Sequence, residues 1–320
     1  MVKRRSVLAV AGAVGGLAAL NARLERIGGA LSNPLGGEKS YYRWRGRDLA
    51  YAVAGEGEPL LLVHGIYAGA SSLEFRKNFA ALSESFRVYA LDLLGCGLSE
   101  RPRRRYGPED VRSQVEDFAR EEIGEAAHLV ASSLSGALSV PALVESPRLF
   151  KRAVLICPTG YGSLERPSGY PGDAIYGLFL APVLGDTLYH AIASRRGIRY
   201  YLERIAYHDP RLVTEELVES YYRVAHQKGA KYLPAAFVSG KLNLGVAEYW
   251  PRVPHRTLIC WGQEARTTPV SEFEEFVRRN PRSEPRVFRD AALLPHDERA
   301  EVFNREVREF LSRVRGSRRA

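Results

Sequence analysis

A chain of 320 residues that is 45% hydrophobic and 26% charged can bury one large core and is too apolar for wholesale disorder. The net charge of +9 gathers in Lys3-Arg4-Arg5, Arg101 to Arg105 and Arg313 to Arg319; none of these clusters is interleaved with stacking aromatics, which argues against a nucleic-acid partner and leaves a membrane surface as the better match for the two terminal ones. The three cysteines, Cys96, Cys157 and Cys260, lie in or just after apolar runs without metal spacing, so they are expected as small buried hydrophobes; no cofactor or metal is expected.

Residues 1–40 are expected to be a targeting or anchoring segment and its linker. Lys3-Arg4-Arg5 is a basic start, and Ser6 to Leu20 is an apolar run rich in Ala, Gly and Val. Arg4-Arg5-Ser6-Val7-Leu8 has the look of a twin-arginine signal, which predicts export or membrane anchoring. A buried N-terminal helix in a cytoplasmic protein is the alternative. The run is short for a membrane span, which needs roughly 20 residues.

Tyr41 to Ala54 predicts a β-hairpin. Pro59-Leu-Leu-Leu-Val63 is a continuous apolar run, as in a strand buried on both faces. Phe86 to Leu91 is another. Val111 to Ile123 has helical periodicity. Ala127 to Ser132 is a strand that turns at once into a helix, Leu134 to Glu145. Arg152 to Cys157 is the next strand. From 159 to 253 the alternation stops, and eleven tyrosines fall among helix-like runs. Thr257 to Trp261 and the short Arg286-Val-Phe288 restore the strand pattern. Glu298 to Val314 is an amphipathic closing helix. Strands alternating with helices predict an α/β protein, a mostly parallel doubly wound sheet, with 159–253 inserted as a helical cap into a core made of 41–158 and 254–316.

The junction Ala131-Ser-Ser133-Leu-Ser-Gly136-Ala137 is where chemistry is expected. A nucleophilic serine in a strand-to-helix turn needs very small residues two places before and after it. Ser132 fails, because Val130 and Leu134 flank it. Ser133 and Ser135 pass, and the end of the apolar run at Ala131 favours Ser133. The segment resembles the nucleophile elbow of the α/β-hydrolase family. Three more pieces in order share the resemblance: Leu62-Val-His64-Gly65, Asp92-x-x-Gly-x-Gly-x-Ser99, and Trp261-Gly262 with Pro269.

The resemblance implies Ser133 as nucleophile and the Ile66 and Leu134 amides as an oxyanion hole. It implies that His64 braces its loop. It also exposes two departures. Ala265 stands where the family's acid should be, and Leu293 where its histidine should be. His296 is then the candidate for a displaced base, although His296-Asp297 also reads as the start of the closing helix. Glu264 is the candidate for a displaced acid. The expected function is therefore action on, or binding of, a small and largely apolar ester- or amide-like molecule. The alternative is a non-catalytic scaffold that binds a ligand or partner under its cap. Oligomeric state has no signature in the sequence.

Overall fold

The computed structural model describes residues 2–162 and 164–313, with side chains from residue 12 onward. The basic side chains at 3–5 and the cluster beyond Arg313 lie outside what is described.

Eight strands form one sheet in the order β1-β2-β4-β3-β5-β6-β7-β8. They are β1 (Glu38–Trp44), β2 (Arg47–Ala54), β3 (Pro59–Val63), β4 (Arg87–Leu91), β5 (Ala127–Ser132), β6 (Phe150–Ile156), β7 (Thr257–Gly262) and β8 (Ser283–Phe288). The hairpin β1–β2 is antiparallel and joins β4 antiparallel; every pairing from β4 to β8 is parallel. This is the mostly parallel, doubly wound sheet that the alternation predicts. The central strands are buried on both faces: all of β3, β5 and β7 is inaccessible. β8 is longer than its apolar triplet suggests. It is an edge strand, so it needs only one apolar neighbour and tolerates Pro285.

Helices pack around this sheet. α1 (Val2–Ile27) precedes it; α2 (Phe79–Ser83), α3 (Pro108–Asp117) and α4 (Ser133–Glu145) connect the first strands. Between β6 and β7 lie the cap helices α5 (Tyr170–Leu180), α6 (Leu184–Ile192), α7 (Arg195–Tyr201), α8 (Glu215–Ala225) and α9 (Tyr232–Val238). α10 (Val270–Arg279), the short α11 (Pro295–Glu298) and α12 (Ala300–Ser312) complete the chain. α12 has the strong amphipathic pattern of a closing helix, with Phe303, Val307, Phe310 and Leu311 turned into the core.

α1 runs through the expected apolar stretch and beyond it. The buried Asn21 donates to Val183 O at 2.9 Å and to Thr187 Oγ1 at 3.1 Å, which fastens α1 to α6. The linker after α1 is held on α8, where Arg223 reaches Gly28 O and Ala30 O and Gln227 reaches Gly29 O.

Candidate functional site

β5 ends at Ser132 and α4 begins at Ser133, so the chain reverses within one residue. Ser133 takes a left-handed φ of 54°. For a residue with a Cβ this conformation costs on the order of 1–3 kcal/mol and persists only where its surroundings enforce it. The enforcement is visible. Gly136 faces the Ala131 carbonyl, and a methyl group there would sit 3.2 Å from that oxygen. Of the three neighbouring serines, Ser132 and Ser135 are wholly inaccessible, whereas Ser133 is half-buried.

The loop after β3 passes over this turn. A methyl group built on Gly65 would lie 3.3 Å from Glu74 Oε2 and 3.5 Å from Ser133 Cβ. His64 ties the loop down, with Nδ1 2.7 Å from Gly65 O and Nε2 accepting from the Leu93 amide at 3.2 Å. The next amide is that of Ile66, a buried residue; that of Leu134 is the second in α4. The first amides of a helix have no partner inside it and are suited to a negative oxygen.

Glu74 was not singled out in the sequence. It follows the H-G loop in a short 3-10 turn, Ser72–Phe75, and is 1% exposed. Its Oε2 accepts from the Gly65 amide at 3.0 Å and from the Tyr67 hydroxyl at 2.7 Å. Its Oε1 lies 3.4 Å from His296 Nε2. That separation is an ion-pair distance, and neither ring nitrogen of His296 meets hydrogen-bond geometry. Burial works against the Glu74 charge, but His296 in the first place, then Ser132 and His64, outweigh it and hold the carboxyl at about 2. A carboxylate therefore stands beneath the H-G loop at neutral pH.

His296 is fully buried, packed between Phe75 and Phe303 with ring centroids at 5.3 and 5.7 Å. The residue after it, Asp297, is bound by Arg76 and by Lys77 Nζ at 2.9 Å, and Asn78 Nδ2 donates to His296 O at 2.8 Å. Residues 74–78 thus close on 296–297, with Glu74 facing His296 and Arg76 and Lys77 paired with Asp297. More than two hundred residues separate these segments, and nothing in the sequence pairs them.

Ala265 and Leu293 are both buried, at 7% and 8% exposure. Their loops are laced together: the Glu264 amide donates to Ala291 O at 3.0 Å, and Glu264 Oε2 accepts from the Ala291 amide at 2.9 Å. Gly262 is pressed against the backbone of Ala291 and Ala292, so closely that any side chain would collide with it. Glu264 is thus engaged with the neighbouring loop, and the carboxylate facing His296 is that of Glu74. Among the described residues no cluster of His, Cys, Asp and Glu could hold a metal ion.

Beside Tyr67 lies a cavity of about 150 Å³ under the cap, walled by Phe179, Tyr189, Ile198, Tyr201 and Phe237. Tyr67 stacks on Tyr221 at 5.6 Å and nearly parallel, with the two hydroxyls 3.3 Å apart. Burial pushes both phenols up, so they stay protonated and can only donate or accept as neutral groups.

A family model described as the alpha/beta hydrolase family matches residues 60–306. Among curated proteins the chain is similar to an uncharacterized hydrolase of Bacillus subtilis, 25% identical over 257 residues that cover 79% of this chain and 90% of the relative. It is also similar to the 2-hydroxymuconate semialdehyde hydrolase of Pseudomonas sp. strain CF600, 29% identical over 268 residues covering 81% and 88%. Among solved structures it resembles a meta-cleavage product hydrolase from Pseudomonas fluorescens, with a TM-score of 0.69, 25% identity, and coverage of 87% of this chain and 98% of that one.

Proposed function

Because this chain belongs to the alpha/beta hydrolase family, we propose that it is a slow serine hydrolase of small, largely apolar ester- or amide-like molecules. The observation that carries the reading is Ser133. Alone among three neighbouring serines it is both accessible and held in a left-handed turn, beside the loop that carries Gly65 and Ile66. Two fixed donors, the Ile66 and Leu134 amides, would stabilise the oxygen of a tetrahedral intermediate; removing one such donor typically costs about 10²–10³ in turnover.

Slowness follows from the base. Ala265 and Leu293 cannot orient or accept a proton. The basic groups near Ser133 are Glu74 and, behind it, His296. A carboxylate held at about 2 is a weak proton acceptor, far from the neutral range in which a general base works best. His296 as displaced base would act through Glu74 or by a shift of its loop. The hydrolase names of the relatives agree with a small-molecule substrate, and the aromatic cavity beside Tyr67 suits an apolar one.

The test is labelling by a fluorophosphonate, followed by intact mass. The reading requires one adduct in the natural protein and none in Ser133→Ala. The second reading, a non-catalytic binding scaffold, is favoured by the joint presence of Ala265 and Leu293. It requires an unlabelled Ser133 together with saturable uptake of an apolar ligand into the cap cavity.

Membrane association belongs to the same proposal. Among the described residues no single helix is long and apolar enough to cross a membrane. Ile175, Leu178, Leu184 and Ile192 are nevertheless exposed on α5 and α6, and α6 packs against α1. Fractionation of cells expressing the full chain and a chain lacking residues 1–30 tests it: recovery of both in the soluble fraction would exclude an anchoring role for the N-terminal segment.

A further inference from the structure

We propose that the basic cleft between α1, the Arg101–Arg103 loop and the α8–α9 turn is a binding site for a phosphate group, separate from Ser133. The cleft has a volume of about 400 Å³. Its cations come from three places in the chain: Arg101 and Arg103 from the loop after β4, Lys228 from the turn, and Lys231 at the start of α9. Its carboxylates are Glu25 on α1 and Asp186 on α6. His190, Tyr189 and Tyr232 also face it, and burial followed by the stacked His226 holds His190 at about 4, so it is neutral at pH 7.

The charges do not balance. Asp186 Oδ1 is 2.5 Å from Lys231 Nζ, and Lys231 is buried, so that pair is closed. Glu25 faces Lys228 and Lys231. Arg101 is left over. Arg101 is partly buried, and its Nε and Nη2 are closed to solvent and lack any hydrogen-bond partner. The nearest acid, Asp92, is already committed, accepting from the Ser72 amide at 2.6 Å and the Leu98 amide at 2.7 Å. A guanidinium so poorly partnered is costly, and an oxyanion held in the cleft that Arg101 lines offsets its charge.

The cleft is also built to hold Arg101 still. Gly229 has a φ of +81°, and a methyl group on it would come within 2.3 Å of Arg101 O. The turn that carries Lys228 is therefore seated directly on the arginine's own backbone. Four cations against two carboxylates leave an excess of two positive charges. A phosphate monoester carries a charge of about −1.5 to −2 at pH 7, which matches that excess. Donors from three chain segments suit a tetrahedral oxyanion better than a flat carboxylate. The remaining volume accommodates what the phosphate is attached to, either a free metabolite or the headgroup of a phospholipid reached beside α1.

The experiment uses the full chain at constant ionic strength, with chloride as the comparison salt. Inorganic phosphate is titrated by calorimetry and by thermal shift. In parallel the protein is co-sedimented with vesicles containing phosphatidate, a phosphomonoester, or an equal charge of phosphatidylglycerol. Saturable binding of inorganic phosphate, weakened at least tenfold by Arg101→Gln and a few-fold by the surface double variant Arg103→Gln/Lys228→Gln, supports the site with a soluble ligand as its source. A preference for phosphatidate vesicles that disappears in the same variants supports it with a lipid headgroup as its source. Absence of saturable binding in both arms overturns the proposal. So does binding that these variants leave unchanged. Should Arg101→Gln fail to fold, the exposed Arg103→Gln/Lys228→Gln variant decides between the outcomes.

Discussion

Removing the Glu74 carboxylate is expected to unfold this protein more readily than any surface change, and the size of the loss follows from its partners. In Glu74→Ala the Gly65 amide loses its acceptor at 3.0 Å, the Tyr67 hydroxyl its acceptor at 2.7 Å, and His296 the carboxylate oxygen 3.4 Å from its Nε2. Leaving those two buried donors without a partner costs about 1–3 kcal/mol each. In a chain of this size that corresponds to a fall in Tm on the order of 10 °C. Glu74→Gln keeps two acceptor positions and loses the charge. Charged hydrogen bonds exceed neutral ones by about 1 kcal/mol each, so its loss should be about 2 kcal/mol. The assay is urea unfolding followed by fluorescence, run as a double-mutant cycle with His296→Phe. A cycle energy near zero, or a Glu74→Ala variant within about 1 kcal/mol of the natural protein, would refute the pairing.

The same group gives a pH dependence with a definite sign. The folded protein holds the Glu74 carboxyl at about 2, below its usual value of 4.5. Its contribution to stability is therefore complete above about pH 4.5 and disappears as the pH falls toward 2. Glu74→Gln should flatten the stability curve across that window, measured by urea midpoints at successive pH values; a curve parallel to that of the natural protein contradicts the assignment. Leu293→His with Ala265→Asp should raise hydrolysis of p-nitrophenyl acetate at least about tenfold, because a base and its orienting acid then stand beside Ser133; an unchanged rate in a folded variant would show that these two positions do not face the serine. The cap helices α5–α9 should exchange amide hydrogens faster on average than β3, β4 and β5, read by mass spectrometry, and equal protection would make the cap an integral layer. Deleting residues 1–30 should leave a folded core with its main unfolding transition intact, since the described contacts of α1 run to the cap; loss of cooperative unfolding would count against this.

The sheet was legible because its strands are continuous apolar runs, and such runs admit few other structures. The turn at Ser133 was legible because close passage of strand and helix demands small neighbours, which Ala131 and Ser135 supply. The resemblance points to departures at Ala265 and Leu293, but the contact between Glu74 and His296 has no signature in the sequence. Glu74 and His296 are separated by more than two hundred residues, and only the sheet order brings the loop after β3 against the segment before α12. Glu264 shows the converse. Its position beside Ala265 suggested chemistry, whereas its carboxylate closes a backbone amide in the adjoining loop. Neighbouring residues in an irregular segment point in different directions, and sequence distance does not reveal which one faces a cleft. The orphan character of Arg101 was equally hidden, because it depends on Asp92 already being occupied by two amides.

The seating of α1 makes the N-terminal segment a lever. Asn21 grips Val183 and Thr187 at the start of α6, and the following linker is threaded onto Arg223 and Gln227 of α8. Both helices lie between β6 and β7, outside the sheet. A load applied to α1 would thus fall on helices inserted between β6 and β7 before it reaches β1 along the chain.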